Sequence, residues 1–123
     1  MFTRKYVCVL DVEGMSGKRP YNVGYIIGDL HGNIIVRRSF ALMPFLIENL
    51  STAIKSAQET AREMTHKNIT EILENPSKYH WDMPQTFFDR FIQDLVENDV
   101  KEIWAYNCSF DSSAISKVME YLN

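Results

Sequence analysis

A chain of 123 residues with a net charge of −3 and no basic tail does not grip nucleic acid through phosphate neutralisation alone, which needs clustered Lys and Arg. With 46% apolar and 24% charged residues it has the composition of a globule, one domain over 1–123, and not of a disordered segment. Its longest apolar stretches, Tyr6 to Leu10 and Ala41 to Ile47, are far too short to span a bilayer, and Asp11 and Glu13 interrupt the first before any signal-peptide cleavage site, so a cytoplasmic protein without membrane partners is expected.

Tyr6-Val7-Cys8-Val9-Leu10 is a continuous β-branched-rich run, as expected of a strand buried on both faces. Tyr21 to Gly28 and Ile34 to Leu42 read as two more strands. The segment Asp29-Leu30-His31-Gly32-Asn33 between them is a hairpin turn, because Gly32 and Asn33 tolerate positive φ. An antiparallel meander of three strands follows from this. Helical spacing then takes over: Leu50, Ile54, Ala57, Ala61 and Met64 recur every three or four residues, with Ser51 as a candidate cap. A short helical piece over Ile69 to Glu74 stops before Asn75-Pro76, and His80-Trp81-Asp82 reads as a turn with an anchoring Trp. Phe87, Phe88, Phe91, Ile92, Leu95 and Val96 mark an amphipathic helix that opens near Pro84 and ends near Asn98. Lys101 to Tyr106 is the fourth strand. Ala114, Ile115, Val118, Met119 and Leu122 define a last helix, capped by Ser109 or Asp111. A helix between strands three and four makes strand four run parallel to strand one, an α/β arrangement.

Of the charged residues, the pairs Arg4-Lys5, Lys18-Arg19 and Arg37-Arg38 read as solvated surface, since exposed charges contribute little. Cys8 and Cys108 form no CxxC pair, so neither suggests zinc. Asp11-Val12-Glu13 is more informative. Residues i and i+2 of a strand face the same way, so the two carboxylates project together. Such a pair repels and raises one pKa unless a cation lies between them, and hard oxygen ligands suit Mg²⁺ or Mn²⁺. Alone, Asp-x-Glu also describes an ordinary solvated strand end. The second half of the signal is Trp104-Ala105-Tyr106-Asn107-Cys108-Ser109-Phe110-Asp111, an apolar strand feeding a helix that opens on another Asp. A fourth strand beside the first would bring Asp111 near Asp11 and Glu13.

These two segments resemble the motifs of the DEDD (DnaQ-like) 3′→5′ exonucleases of the ribonuclease-H-like superfamily. That family opens with Asp-x-Glu at the end of strand one, matched by Asp11 and Glu13. Its second motif, Asn-x-x-x-Phe-Asp entering a helix, is matched by Asn107, Phe110 and Asp111. The resemblance covers essentially the whole chain and is greatest to small stand-alone members from phage or bacteria. It implies a ribonuclease-H-like core in which a three-stranded antiparallel meander is joined by a parallel fourth strand with flanking helices. It also implies two bound Mg²⁺ or Mn²⁺ ions, about 3.5–4 Å apart in such sites. Asp11 would bridge them, Glu13 would serve the water-activating side and Asp111 the other ion. The implied substrate is the 3′ end of a single-stranded DNA or RNA, hydrolysed one phosphodiester at a time. Met15, Ser16 and Tyr21 are candidates to line the pocket for the terminal nucleotide, with Asn107 shaping the turn beside it.

The family's third motif, a His or Tyr followed four or five residues later by a fourth Asp, has no match downstream of Asp111. Ser112 to Asn123 contains no Asp, and none of His31, His66 or His80 is followed by one at that spacing. Tyr25 precedes Asp29 by four residues but lies ahead of the second motif. Relative to the family, the sequence is C-terminally truncated. It can be read as a degenerate remnant, a fragment of a longer protein, an enzyme completed by a second chain or homodimer partner, or a domain repurposed for binding. Loss of one metal ligand and the general base would cripple catalysis, because such groups act as a unit. Three readings stay open on the sequence: a metal-dependent 3′→5′ exonuclease, a catalytically dead nucleic-acid- or protein-binding module derived from one, and a non-enzymatic structural remnant with an unused acidic pocket.

Overall fold

The computed structural model describes residues 5–14 and 20–105. Three long strands, β1 (Tyr6–Glu13), β2 (Asn22–Asp29) and β3 (Ile34–Leu42), form the expected antiparallel meander. Two helices follow, α1 (Phe45–Lys55) and α2 (Glu59–Glu74), then a 3₁₀ turn over Pro76–Lys78 and a short strand β4 (His80–Asp82). Helix α3 (Pro84–Glu97) and strand β5 (Ile103–Ala105) complete the described chain. The sheet order is β4-β3-β2-β1-β5, with β5 parallel to β1 and β4 parallel to β3. The described residues are therefore α/β, with a five-stranded mixed sheet and three helices.

The β2–β3 hairpin is built by Asp29. Its carboxylate accepts hydrogen bonds from the backbone N–H of His31 (2.9 Å) and Asn33 (3.0 Å) and from the Asn33 amide (2.9 Å). Gly32 takes φ +88°, a conformation that costs glycine nothing. Where the strands leave the turn, the register shifts between Ile27 and Gly28. A Cβ on Gly28 would lie 2.8 Å from the Asn33 carbonyl oxygen, so only glycine fits there without displacing backbone.

Helices cover both faces. On one, Phe87 and Phe91 of α3 pack with Cys8, Leu10, Val12, Val23, Tyr25, Ile27 and Phe40. Burial of each large apolar side chain there stabilises the fold by about 1.5–3 kcal/mol. On the other, Ala41, which alternates with Phe40 and Leu42 along β3, meets Leu46 of α1 and Ile69 and Ile72 of α2. Among the described residues no helix is long and apolar enough to cross a membrane.

Several expectations are corrected. The stripe Leu50, Ile54, Ala57, Ala61 and Met64 is not one helix, and whereas Leu50 packs against the core, Ile54, Ala57 and Met64 are exposed. The chain breaks between Lys55 and Glu59, and Ile54 and Met64 are 66% and 62% exposed. The inward faces are Phe45, Leu46, Asn49 and Ala53 in α1, and Thr65, Ile69 and Ile72 in α2. Ser51 lies inside α1, which begins directly after the cis Met43–Pro44 peptide, and the short piece over Ile69 to Glu74 is the last part of α2. His80-Trp81-Asp82 pairs with Phe40 to Leu42 as a strand instead of turning, although Trp81 does anchor, donating from Nε1 to the Pro76 carbonyl (2.8 Å). Strand β1 is not buried on both faces, since Val9 is 38% exposed. Arg38 is not solvated surface either, because it pairs with Asp94 of α3. The expected C-terminal helix lies outside the described residues.

Candidate functional site

Strand β1 continues through Asp11-Val12-Glu13, so both carboxylates are on the ladder and not beyond it. Val12 turns into the core under α3, and the pleat sends Asp11 and Glu13 to the opposite face. There Asp11 is exposed and Glu13 half-buried. The Leu10–Ala105 pairing sets the C-terminal end of β5 beside the residue that precedes Asp11.

Glu13 lines a cleft of about 230 Å³ with Val12, Gly14, Tyr21 and, from α2, Met64, Thr65 and Asn68. The Tyr21 hydroxyl donates a long hydrogen bond to Glu13 Oε2 (3.4 Å) and accepts one from Asn68 Nδ2 (3.2 Å). Tyr21 is itself fixed from both sides. Its N–H donates to the Glu13 carbonyl (2.9 Å), and its carbonyl accepts from the Leu42 N–H (2.9 Å).

Burial pushes the Glu13 carboxyl above its usual value, the charge of Asp11 adds to that, the Tyr21 hydrogen bond opposes it, and Glu71 of α2 raises it further. The Tyr21 phenol is pushed up to about 12, chiefly by burial, and so stays a donor at neutral pH. Without a counter-charge this corner of the sheet is electrostatically unfavourable. Hard oxygen donors on one face, in a field this negative, fit a hard divalent cation by chemistry. Among the described residues, no group of three His, Cys, Asp or Glu side chains is placed to hold one.

The sequence-derived site thus divides in two. Asp11, Glu13 and Tyr21 come together, whereas Met15, Ser16, Asn107 and Asp111 lie outside the described residues. Asn68 and Glu71 were not foreseen. Thr65, Asn68, Ile69 and Ile72 follow helical spacing, and taking that stripe as the inward face of α2 would have placed Asn68 beneath the sheet. A larger groove of about 310 Å³ between α1 and α2, lined by Ala53, Ile54, Arg62, Glu63 and His66, gathers no comparable set of acidic groups. Cys8 offers no nucleophile: it is fully buried, and burial first, then Asp94, push its thiol up to about 12.

No protein-family model, curated protein or solved structure matches the chain.

Proposed function

We propose that this chain is a ribonuclease-H-like domain of DEDD exonuclease lineage that binds Mg²⁺ or Mn²⁺ and hydrolyses the 3′ end of a single-stranded DNA or RNA. The observation that carries the reading is the pairing of Asp11 and Glu13 on one face of β1, beside the end of the parallel strand β5 at Ala105. The arrangement of Asp11 and Glu13 is the one the first motif calls for, and Asn107, Phe110 and Asp111 of the second lie outside the described residues.

Asp11, Glu13 and Asp111 would hold the cations. Bound there, a divalent cation supplies charge neutralisation on a phosphate and a lowered pKa for a coordinated water. The chain's own contribution is the negative field of Asp11 and Glu13, held ready on a rigid strand. The cleft between β1 and α2 gives a terminal nucleotide a partly apolar wall in Met64. Cations that meet the phosphates also reconcile a net charge of −3 with a polyanionic substrate.

The experiment is release of labelled mononucleotide from a 3′-labelled single strand in Mn²⁺, by wild type and by Asp11→Ala. Release that EDTA and Asp11→Ala both abolish supports the reading. Equal release by the two proteins identifies a contaminant and defeats it. Oligonucleotide binding without release would identify a binding module on the same fold.

A further inference from the structure

We infer that Tyr21 and Asn68 are positioning residues for the Glu13 carboxylate, a hydrogen-bonded relay through which helix α2 sets one carboxylate of the cation site; this inference rests on the cation site proposed above. Asn68 Nδ2 donates to the Tyr21 hydroxyl, and that hydroxyl donates to Glu13 Oε2. A phenol has a single proton to give. With an Asn68 N–H occupying a lone pair of the Tyr21 oxygen, that proton is directed to the carboxylate, and the other lone pairs of Glu13 stay available to a cation. Partners of this kind orient ligating carboxylates and are energetically coupled to the metal.

The relay is rigid where it must be. The Tyr21 ring is 2% exposed, packed with Ala41, Leu46, Ile69 and Ile72, and its backbone is bonded to both β1 and β3. Asn68 is held by its place on α2, one residue before the fully packed Ile69. A purely structural role, tying α2 to the sheet, would use the same two bonds. The two roles differ in what their loss does: the structural one lowers stability without cation, and the positioning one lowers cation affinity.

The test titrates Mn²⁺ into the full chain, following free Mn²⁺ by its electron paramagnetic resonance signal. The proteins are wild type, Tyr21→Phe, Asn68→Leu, the double variant and Asp11→Ala, each also melted in EDTA. Tyr21→Phe keeps the packed ring, so its melting temperature in EDTA should stay near wild type while Mn²⁺ affinity falls about tenfold. Asn68→Leu should weaken Mn²⁺ in the same direction, and the double variant should bind no more weakly than Tyr21→Phe, because Asn68 acts through Tyr21. Wild-type affinity in Tyr21→Phe, with binding lost in Asp11→Ala, overturns the relay and leaves the cation site standing. Absence of Mn²⁺ binding by wild type rejects the site and the relay together. If Tyr21→Phe melts lower, Asn68→Leu decides: unchanged affinity there overturns the inference.

Discussion

Tyr25 of β2 donates a 2.6 Å hydrogen bond to Oδ2 of Asp94 on α3, joining residues 69 positions apart inside the core. The same carboxylate receives Arg38 of β3 through Nε (2.5 Å) and Nη2 (3.1 Å). Asp94 is 2% exposed, on the face of α3 that carries Phe87 and Phe91. A buried carboxylate is tolerated only when its oxygens are satisfied. Here a two-pronged guanidinium and a phenol satisfy them, and the helix is thereby fixed to two strands at once. Burial pushes the Asp94 carboxyl up, but the bonds from Arg38 and Tyr25 outweigh it and hold it below its ordinary value. The Tyr25 phenol is pushed up, by burial first and then by Asp94.

Removing the carboxylate should therefore destabilise the fold well beyond an average substitution. Asp94→Ala leaves the Tyr25 hydroxyl buried without its acceptor and Arg38 without its counter-charge. The expected loss is about 3 kcal/mol, at the low end for a broken buried pair because Arg38 keeps some access to water. Tyr25→Phe, which leaves the ion pair intact, should cost only about 1 kcal/mol. Urea denaturation midpoints check both. A loss in Asp94→Ala no larger than that in Tyr25→Phe would show that the ion pair adds nothing.

The same carboxylate gives the fold an acid-sensitive component with a definite sign. Its folded-state pKa lies below the ordinary 3.8, so the unfolded chain binds its proton first as pH falls. The stabilisation is complete above the unfolded value and is lost as pH drops through the folded one. Wild type should thus exceed Asp94→Asn by its full margin at neutral pH, and the margin should shrink once pH falls below about 4. Urea titrations from pH 7 down to pH 3 measure it. A margin independent of pH would mean that the Asp94 charge makes no contribution.

Whether these features are legible in the sequence depends on how local their causes are. The meander is legible because β-branched runs and the Asp29-to-Asn33 turn dictate it within a few residues. Asp11 and Glu13 are legible as a pair because strand alternation alone puts them on one face. The break between α1 and α2 is not, since Leu50, Ile54 and Met64 keep helical spacing across Ser56-Ala57-Gln58 while the sheet selects Leu46, Ala53 and Ile69 instead. Strand β4 is too short to show a period, and only the exposed edge of β3 makes His80-Trp81-Asp82 extend. Asp94 did leave a trace. It falls on the stripe of Phe87, Phe91 and Leu95, where an acid at helical spacing signals a buried partner, but nothing local identifies Arg38 and Tyr25 as that partner.

The hairpin register rests on Gly28, although its backbone is ordinary. A methyl group there meets the Asn33 carbonyl at 2.8 Å and the Ile34 Cα at 3.5 Å, both backbone atoms that cannot swing aside. Gly28→Ala should destabilise by about 1–3 kcal/mol, as overpacking does. Gly32→Ala should also cost stability, for a different reason, since the space around Gly32 is open and only its φ of +88° opposes a side chain. Replacing Gly32 with Asn, which tolerates that conformation, should recover most of the loss. No residue at position 28 larger than glycine should do so. Thermal melts of the three variants separate steric from conformational cost, and an innocuous Gly28→Ala would mean that the turn yields more easily than its hydrogen bonds to Asp29 imply.

A site that holds like charges together should be more stable when one is removed. Glu13 is half-buried, its carboxyl is destabilised by burial and by Asp11, and Glu71 adds to the repulsion. Glu13→Gln keeps the size and keeps an oxygen to accept from Tyr21, while it removes the charge. In EDTA it should be more stable than wild type, by about 0.5–1 kcal/mol, a small figure because the cleft admits solvent. In millimolar Mn²⁺ the order should reverse, because a cation bound to the native state alone stabilises wild type and not the variant. Urea denaturation in the two buffers measures both quantities on one pair of proteins. If Glu13→Gln is the less stable protein without cation, the carboxylate serves the fold and not a ligand. If it gains stability in EDTA but Mn²⁺ raises both proteins equally, the strain is real and the cation binds elsewhere.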